Sequence, residues 1–99
     1  MEAATQLAGQ VALITGAASG QGRAAAQLFA AHRASVVVAD INDEGADETV
    51  ALIDKEGGVA TAVDADVARD PDCDEMVAAA ITAYGRIDVL YNVATRRTF

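Results

Sequence analysis

Four short apolar runs alternate along the chain with three longer amphipathic stretches. The runs are Gln10–Thr15 (QVALIT), Ser35–Asp40 (SVVVAD), Val59–Asp64 (VATAVD) and Ile87–Asn92 (IDVLYN). Continuous Val/Ile/Leu runs of this length suit strands buried on both faces, and the third is the weakest of the four. Between them, Gly20–Arg33 carries Ala25, Leu28 and Phe29 at helical spacing. Asp43–Glu56 repeats the pattern through Ala46, Val50 and Ile53 and is stopped by Gly57–Gly58. Asp70–Tyr84 sets Met76, Val77, Ala80 and Ile81 on one stripe, with Asp70 as a candidate cap, Pro71 in the first turn and Gly85 behind. The predicted order is β-α-β-α-β-α-β, and helical crossovers of this length imply parallel strands joined by right-handed units. There is no linker, repeat or low-complexity segment. The last five residues, TRRTF, fit neither pattern and read as a frayed tail.

Composition narrows the function classes. The 99 residues amount to one small domain. At 53% hydrophobic and 22% charged the chain is globular rather than disordered. Much of the apolar content is alanine, which packs helices tightly on a sheet but buries little area. The net charge is −8 with a pI near 4.3, and Lys55 is the single lysine, so nucleic acid and anionic membranes are poor partners. One cysteine, Cys73, excludes an internal disulfide, and with one histidine, His32, it leaves no zinc site. Both read as helix-end surface residues. No apolar run reaches a membrane span and the start lacks a secretory pattern, so the expected location is the cytosol.

The strongest chemical signal is Thr15-Gly16-Ala17-Ala18-Ser19-Gly20-Gln21-Gly22, directly after the first strand and opening the first helix. A diphosphate must approach bare backbone N–H groups, and a Cβ at the approach point would block it. The helix N-terminus supplies unpaired donors and a partial positive charge. Gly16 allows the tight turn, Gly20 admits the ligand, and Gly22 lets helix and strand pack closely. The bland alternative is a glycine-rich turn that binds nothing.

Asp40 ends the second strand, 18 residues after Gly22. A carboxylate there can accept hydrogen bonds from an adenosine ribose. A 2′-phosphate would meet like charge, at about 4 kcal/mol per unit pair 4 Å apart in an effective dielectric of 20, or roughly a thousandfold in affinity. Neither Ile41 nor Ser19 offers a compensating cation. NAD is therefore expected over NADP. The alternative is a solvated strand-end acid or a helix cap.

These residues resemble the short-chain dehydrogenase/reductase family, whose turn Thr-Gly-x-x-x-Gly-x-Gly is matched by Thr15, Gly16, Gly20 and Gly22. Three residues between the first two glycines is wider than in other dinucleotide binders, and Gln21 stands where isoleucine is common. The resemblance assigns Asp66, in Asp64-Ala65-Asp66-Val67, a hydrogen bond to the adenine amino group and Val67 a contact with the ring. The fourth strand, Asp88-Val89-Leu90-Tyr91-Asn92-Val93-Ala94-Thr95, is similar to the family's Asp-Val-Leu-Val-Asn-Asn-Ala-Gly. Asn92 and Ala94 match; Tyr91, Val93 and Thr95 depart. The resemblance spans about residues 8–94 and implies an α/β, Rossmann-like doubly wound parallel sheet of order 3-2-1-4, truncated to about four strands and three helices. Residues 1–94 then form an incomplete NAD(P)-binding domain and 95–99 a tail outside the family pattern. The fourth strand lies at an open edge, where self-association is possible, and the third helix alone covers one sheet face.

The family's catalytic Ser and Tyr-x-x-x-Lys do not occur here. Tyr84 is followed at that spacing by Asp88 and Tyr91 by Thr95, and Lys55 is preceded by Ala51. The expected reading is the cofactor-binding front of an NAD-dependent oxidoreductase, inactive alone, with no catalytic residue and no metal ligand. Its cofactor set is Gly16, Ser19, Gly20, Gln21, Gly22, Asp40, Ile41, Asp66, Val67, Asn92 and Ala94. Alternatives are a non-catalytic nucleotide-binding or interaction module that uses the open edge, and a truncated product that does not fold stably. A methyltransferase-like binder fits worse, because Thr15 stands where an acid is usual.

Overall fold

The computed structural model describes residues 7–66 and 70–92, with the side chains of 70–73 outside the description. The elements are β1 (Val11–Thr15), α1 (Gly20–Ala31), β2 (Ser35–Asp40), α2 (Asp43–Lys55), β3 (Val59–Asp64), α3 (Asp70–Tyr84) and β4 (Val89–Asn92). The four strands form one parallel sheet in the order β3-β2-β1-β4. This is the doubly wound sheet of order 3-2-1-4 that the resemblance implies, built from the parallel strands that the alternation of runs implies.

Every residue of β1 is buried, and Val36, Val37 and Val38 of β2 are fully so. The reason is a core on each face of the sheet. Ala12, Ile14, Val36 and Val38 point to one face, where Ala25, Ala26 and Ala30 of α1 and Ala46 and Ile53 of α2 pack on them. Leu13, Val37 and Ala39 point to the other and meet Met76 and Ala80 of α3. Small alanines let α1 and α2 lie close to the β-branched strands. Val59–Asp64, the weakest run, is only partly buried at the far edge.

Element ends differ slightly from the sequence pattern, each for a local reason. α1 stops at Ala31 rather than Arg33; His32 is its C-cap, and Arg33 adopts a left-handed φ of 78° that ends the helix. Glu56 caps α2 rather than extending it. The ladder of β4 starts at Val89, not Ile87, because Asp88 is busy gripping Val11: its N–H donates to Val11 O at 2.8 Å and its Oδ2 accepts the Val11 N–H at 2.8 Å. α3 begins at Asp70, but whether the Asp70 side chain caps it, and how Cys73 is placed, lie outside the described side chains.

β4 is half covered. Leu90 pairs with Leu13 and so shares the α3 face, yet it is 64% exposed, since α3 lies over the other three strands. On the opposite face Tyr91 packs its ring on Phe29 of α1, centroids 5.9 Å apart. Tyr84, at the end of α3, shares a 2.9 Å hydrogen bond between its Oη and Thr61 Oγ1. Both tyrosines thus serve packing.

Candidate cofactor-binding site

The last residues of the four strands, Thr15, Asp40, Asp64 and Asn92, come together at one end of the sheet. The chain runs from β1 outward to β2 and β3, then returns to place β4 on the other side of β1. Ligands of open α/β sheets bind at such a reversal, outside the carboxyl ends of the strands. Here the Thr15 hydroxyl donates to Asn92 Oδ1 at 2.6 Å, tying the two strand ends together.

The turn after β1 is shaped by its glycines. Gly16 and Gly20 have φ of 68° and 58°, in the left-handed region that favours glycine. A Cβ on Gly20 would meet nothing within 4 Å, so the space beside it is open. A Cβ on Gly22 would lie 2.0 Å from Gly16 O, so α1 can close on the residue directly after β1 only as glycine. Ser19 and Gln21 are exposed beside this turn.

The two helices that follow β1 and β2 begin differently. α2 is capped: Asn42 Oδ1 accepts the Gly45 N–H at 3.0 Å, and Asp43 and Glu44 occupy the first turn. α1 has Ser19 at its N-cap with no side-chain bond and no acid in the first turn. The first N–H groups of a helix lack intrahelical partners, and its positive end attracts anions. These features fit a diphosphate at α1.

Asp40 is more than a solvated acid, and it is not the cap of α2. Its Oδ2 accepts the Ala18 N–H at 3.0 Å and its Oδ1 the Asn42 N–H at 2.9 Å. Its carbonyl accepts the Ala65 N–H at 3.1 Å, which brings Asp66 alongside. Ile41, next to Asp40, is 66% exposed. Gly16, Ser19, Gly20, Gln21, Gly22, Asp40, Ile41, Asp66 and Asn92 therefore all lie at one end of the sheet, while Val67 and Ala94 fall outside the described residues. Among the described residues no group of acids, His and Cys could hold a metal, and no helix is long and apolar enough to cross a membrane.

Sequence reasoning missed Arg23 and Thr49. The Arg23 guanidinium donates to Ala18 O, to Gly45 O at 3.2 Å, to Thr49 Oγ1 at 2.9 Å and to Glu48 Oε1 at 3.1 Å. Thr49, 0% exposed, donates in turn to Ala17 O at 2.7 Å. A signal did exist: a cation in the first turn of a helix opposes the helix dipole and needs a reason to be there.

The model of the short chain dehydrogenase family matches residues 10–99. The chain belongs to the short-chain dehydrogenase family. It is 48% identical over 90 residues to a mitochondrial borneol dehydrogenase of Lavandula x intermedia, covering 90% of this chain and 32% of that one. It is 44% identical over 86 residues to an uncharacterized oxidoreductase of Thermotoga maritima, covering 87% and 34%. Among solved structures, a hydroxysteroid dehydrogenase from Escherichia coli superposes with a TM-score of 0.86 at 40% identity, over 87% of this chain and 37% of that one. A protein from Haemophilus influenza, solved with bound NAD, does so at 0.80 and 28%, over 85% and 30%. The chain thus spans about a third of the length of these curated relatives.

Proposed function

We propose that this chain is the NAD-binding front part of a short-chain dehydrogenase that moves hydride between NAD and an alcohol or carbonyl substrate. One observation carries the reading. The uncapped N-terminus of α1 stands behind the Gly16–Gly22 turn, beside a strand-end carboxylate whose orientation is fixed by two backbone N–H groups. The diphosphate takes the donors of α1, and Asp40 accepts from the ribose hydroxyls, because each carboxylate oxygen keeps a second lone pair. Asp66 lies toward the adenine, Ile41 beside the ribose and Asn92 on the β4 side. The nicotinamide supplies the hydride. The chain holds no Tyr-x-x-x-Lys, so no residue here relays a proton to a substrate oxygen, and no turnover is expected from it alone. Its acidic balance and single cysteine suit a reducing cytosol.

Isothermal titration of the 99-residue chain with NAD and NADP tests this. NAD is expected to bind at least roughly tenfold tighter, from like-charge repulsion at Asp40. Equal affinities overturn the role of Asp40, and no binding by a folded chain overturns the cofactor reading.

The uncovered Leu90 and the open edge of β4 favour a second reading, association of two copies through β4. Sedimentation over a range of concentrations decides it, and a monomer throughout counts against it.

A further inference from the structure

We infer that Arg23 and Thr49 are positioning residues for the phosphate turn: together they clamp its carbonyl oxygens toward α2, which fixes the Ala18–Ser19 peptide with the Ser19 N–H facing the other way, toward the ligand. The inference rests on the cofactor reading above and adds to it the residues that hold the turn in shape.

Ala18 is held at both ends of its backbone. Its N–H goes to Asp40 Oδ2 and its C=O to the Arg23 guanidinium. Ala17 O accepts from Thr49 Oγ1 at 2.7 Å. The carbonyls of the two residues preceding Ser19 are therefore both drawn toward α2 and satisfied there. The Ala17 N–H is taken by Ala39 O at 3.4 Å and the Ala18 N–H by Asp40, so the donor left for a diphosphate is the Ser19 N–H. It lies in the same peptide plane as Ala18 O, and that carbonyl swinging the other way would remove it.

The parts need one another. Thr49 accepts from Arg23 Nε at 2.9 Å and has a single hydroxyl proton, with two acceptors in reach: Ala17 O at 2.7 Å and, one turn back on α2, Gly45 O at 3.2 Å, of which Ala17 O is the nearer. Arg23 serves Thr49, Ala18 O and Gly45 O from one rigid fork, which a lysine ammonium cannot do in that geometry. Gly45 completes the fit: a Cβ there would lie 2.7 Å from Ala18 Cβ, so α2 approaches the turn closely only without one. Glu48, at 3.1 Å from the guanidinium and largely exposed, balances the charge from the solvent side.

The test compares Thr49→Val, which keeps the shape and removes the hydroxyl, with Thr49→Ser, which restores it. Amide exchange of the free chain is read at Ala18 and at Ser19–Gly22, with Val38 and Ile53 as reporters of the core. Titration with NAD and with inorganic diphosphate follows. In Thr49→Val the turn amides are expected to exchange roughly tenfold faster and both ligands to bind roughly tenfold more weakly, the size expected for one hydrogen bond to a charged group. Thr49→Ser is expected to stay near wild type and the core amides to stay protected. Should Thr49→Val lose core protection, Arg23→Lys takes its place with the same expected losses. Unchanged turn exchange in a folded variant, or equal impairment in Val and Ser, overturns the clamp. A wild-type chain that binds no NAD yet shows the hydroxyl-dependent exchange sinks the cofactor reading and supports the clamp. NAD binding that is equal in wild type and Thr49→Val does the reverse.

Discussion

Asp40 reaches across from the end of β2 to hold Ala18 in the turn after β1, its Oδ2 accepting the Ala18 N–H at 3.0 Å. The residue proposed to read the ribose is thus also a brace for the loop proposed to hold the diphosphate. Asp40→Asn keeps one acceptor oxygen, loses the charge and cannot serve both Ala18 and Asn42. It is expected to lower stability by about 1–2 kcal/mol, as for loss of a hydrogen bond to a charged acceptor. Removing the charge also brings NAD and NADP affinities closer together. Urea unfolding and paired titrations check the two effects separately.

Gly20 and Gly22 are expected to respond to alanine in opposite ways. Gly22→Ala puts a methyl 2.0 Å from Gly16 O, a backbone atom that cannot step aside, and is expected to cost about 3 kcal/mol or more. Gly20→Ala meets nothing, so it costs only the left-handed conformation, about 1 kcal/mol. Its larger effect is on ligand approach. Thermal melts with and without NAD distinguish the two.

Asp88 makes the β1–β4 junction sensitive to acid. The Arg86 guanidinium, then the Val11 N–H, hold its carboxyl below the usual carboxylate value. A depressed folded value means that its contribution is present above the unfolded value and is lost as pH falls through the folded one. Asp88→Asn is therefore expected to be less stable than wild type at neutral pH, with the gap closing below about pH 4. Parallel unfolding curves from pH 7 to pH 3 measure that gap.

Arg33 ends α1 at a φ of 78°, where most helices place glycine. It is exposed, so little packing is lost on replacement. Arg33→Gly is expected to stabilise by about 1 kcal/mol, raising Tm by roughly 4–8 °C for a domain of this size.

Much of this could be read from the residues alone. The bounds of β2, β3 and α3 match the apolar runs and stripes, because each is closed by an acid, a glycine or a proline that leaves little choice. The burial of β2 on both faces follows from Val36, Val37 and Val38 in succession. Tyr91, an outlier in its run, is explained only by Phe29, a contact no local pattern carries. Arg23 and Thr49 were hidden for the same reason: their bond joins residues 26 positions apart and exists only once α1 and α2 lie side by side. The double duty of Asp40 is likewise a product of two strand ends meeting.

β1 pairs on one side with a strand 20-odd residues downstream and on the other with β4, whose Asn92 lies 77 positions beyond Thr15. At about 5–20 residues per second of synthesis, several seconds separate the emergence of those two strand ends from the ribosome. Throughout that interval β1 has at least one naked margin, so a nascent chain of this sequence can complete the loop between β1 and α1 well before it can seal the strand that leads into it.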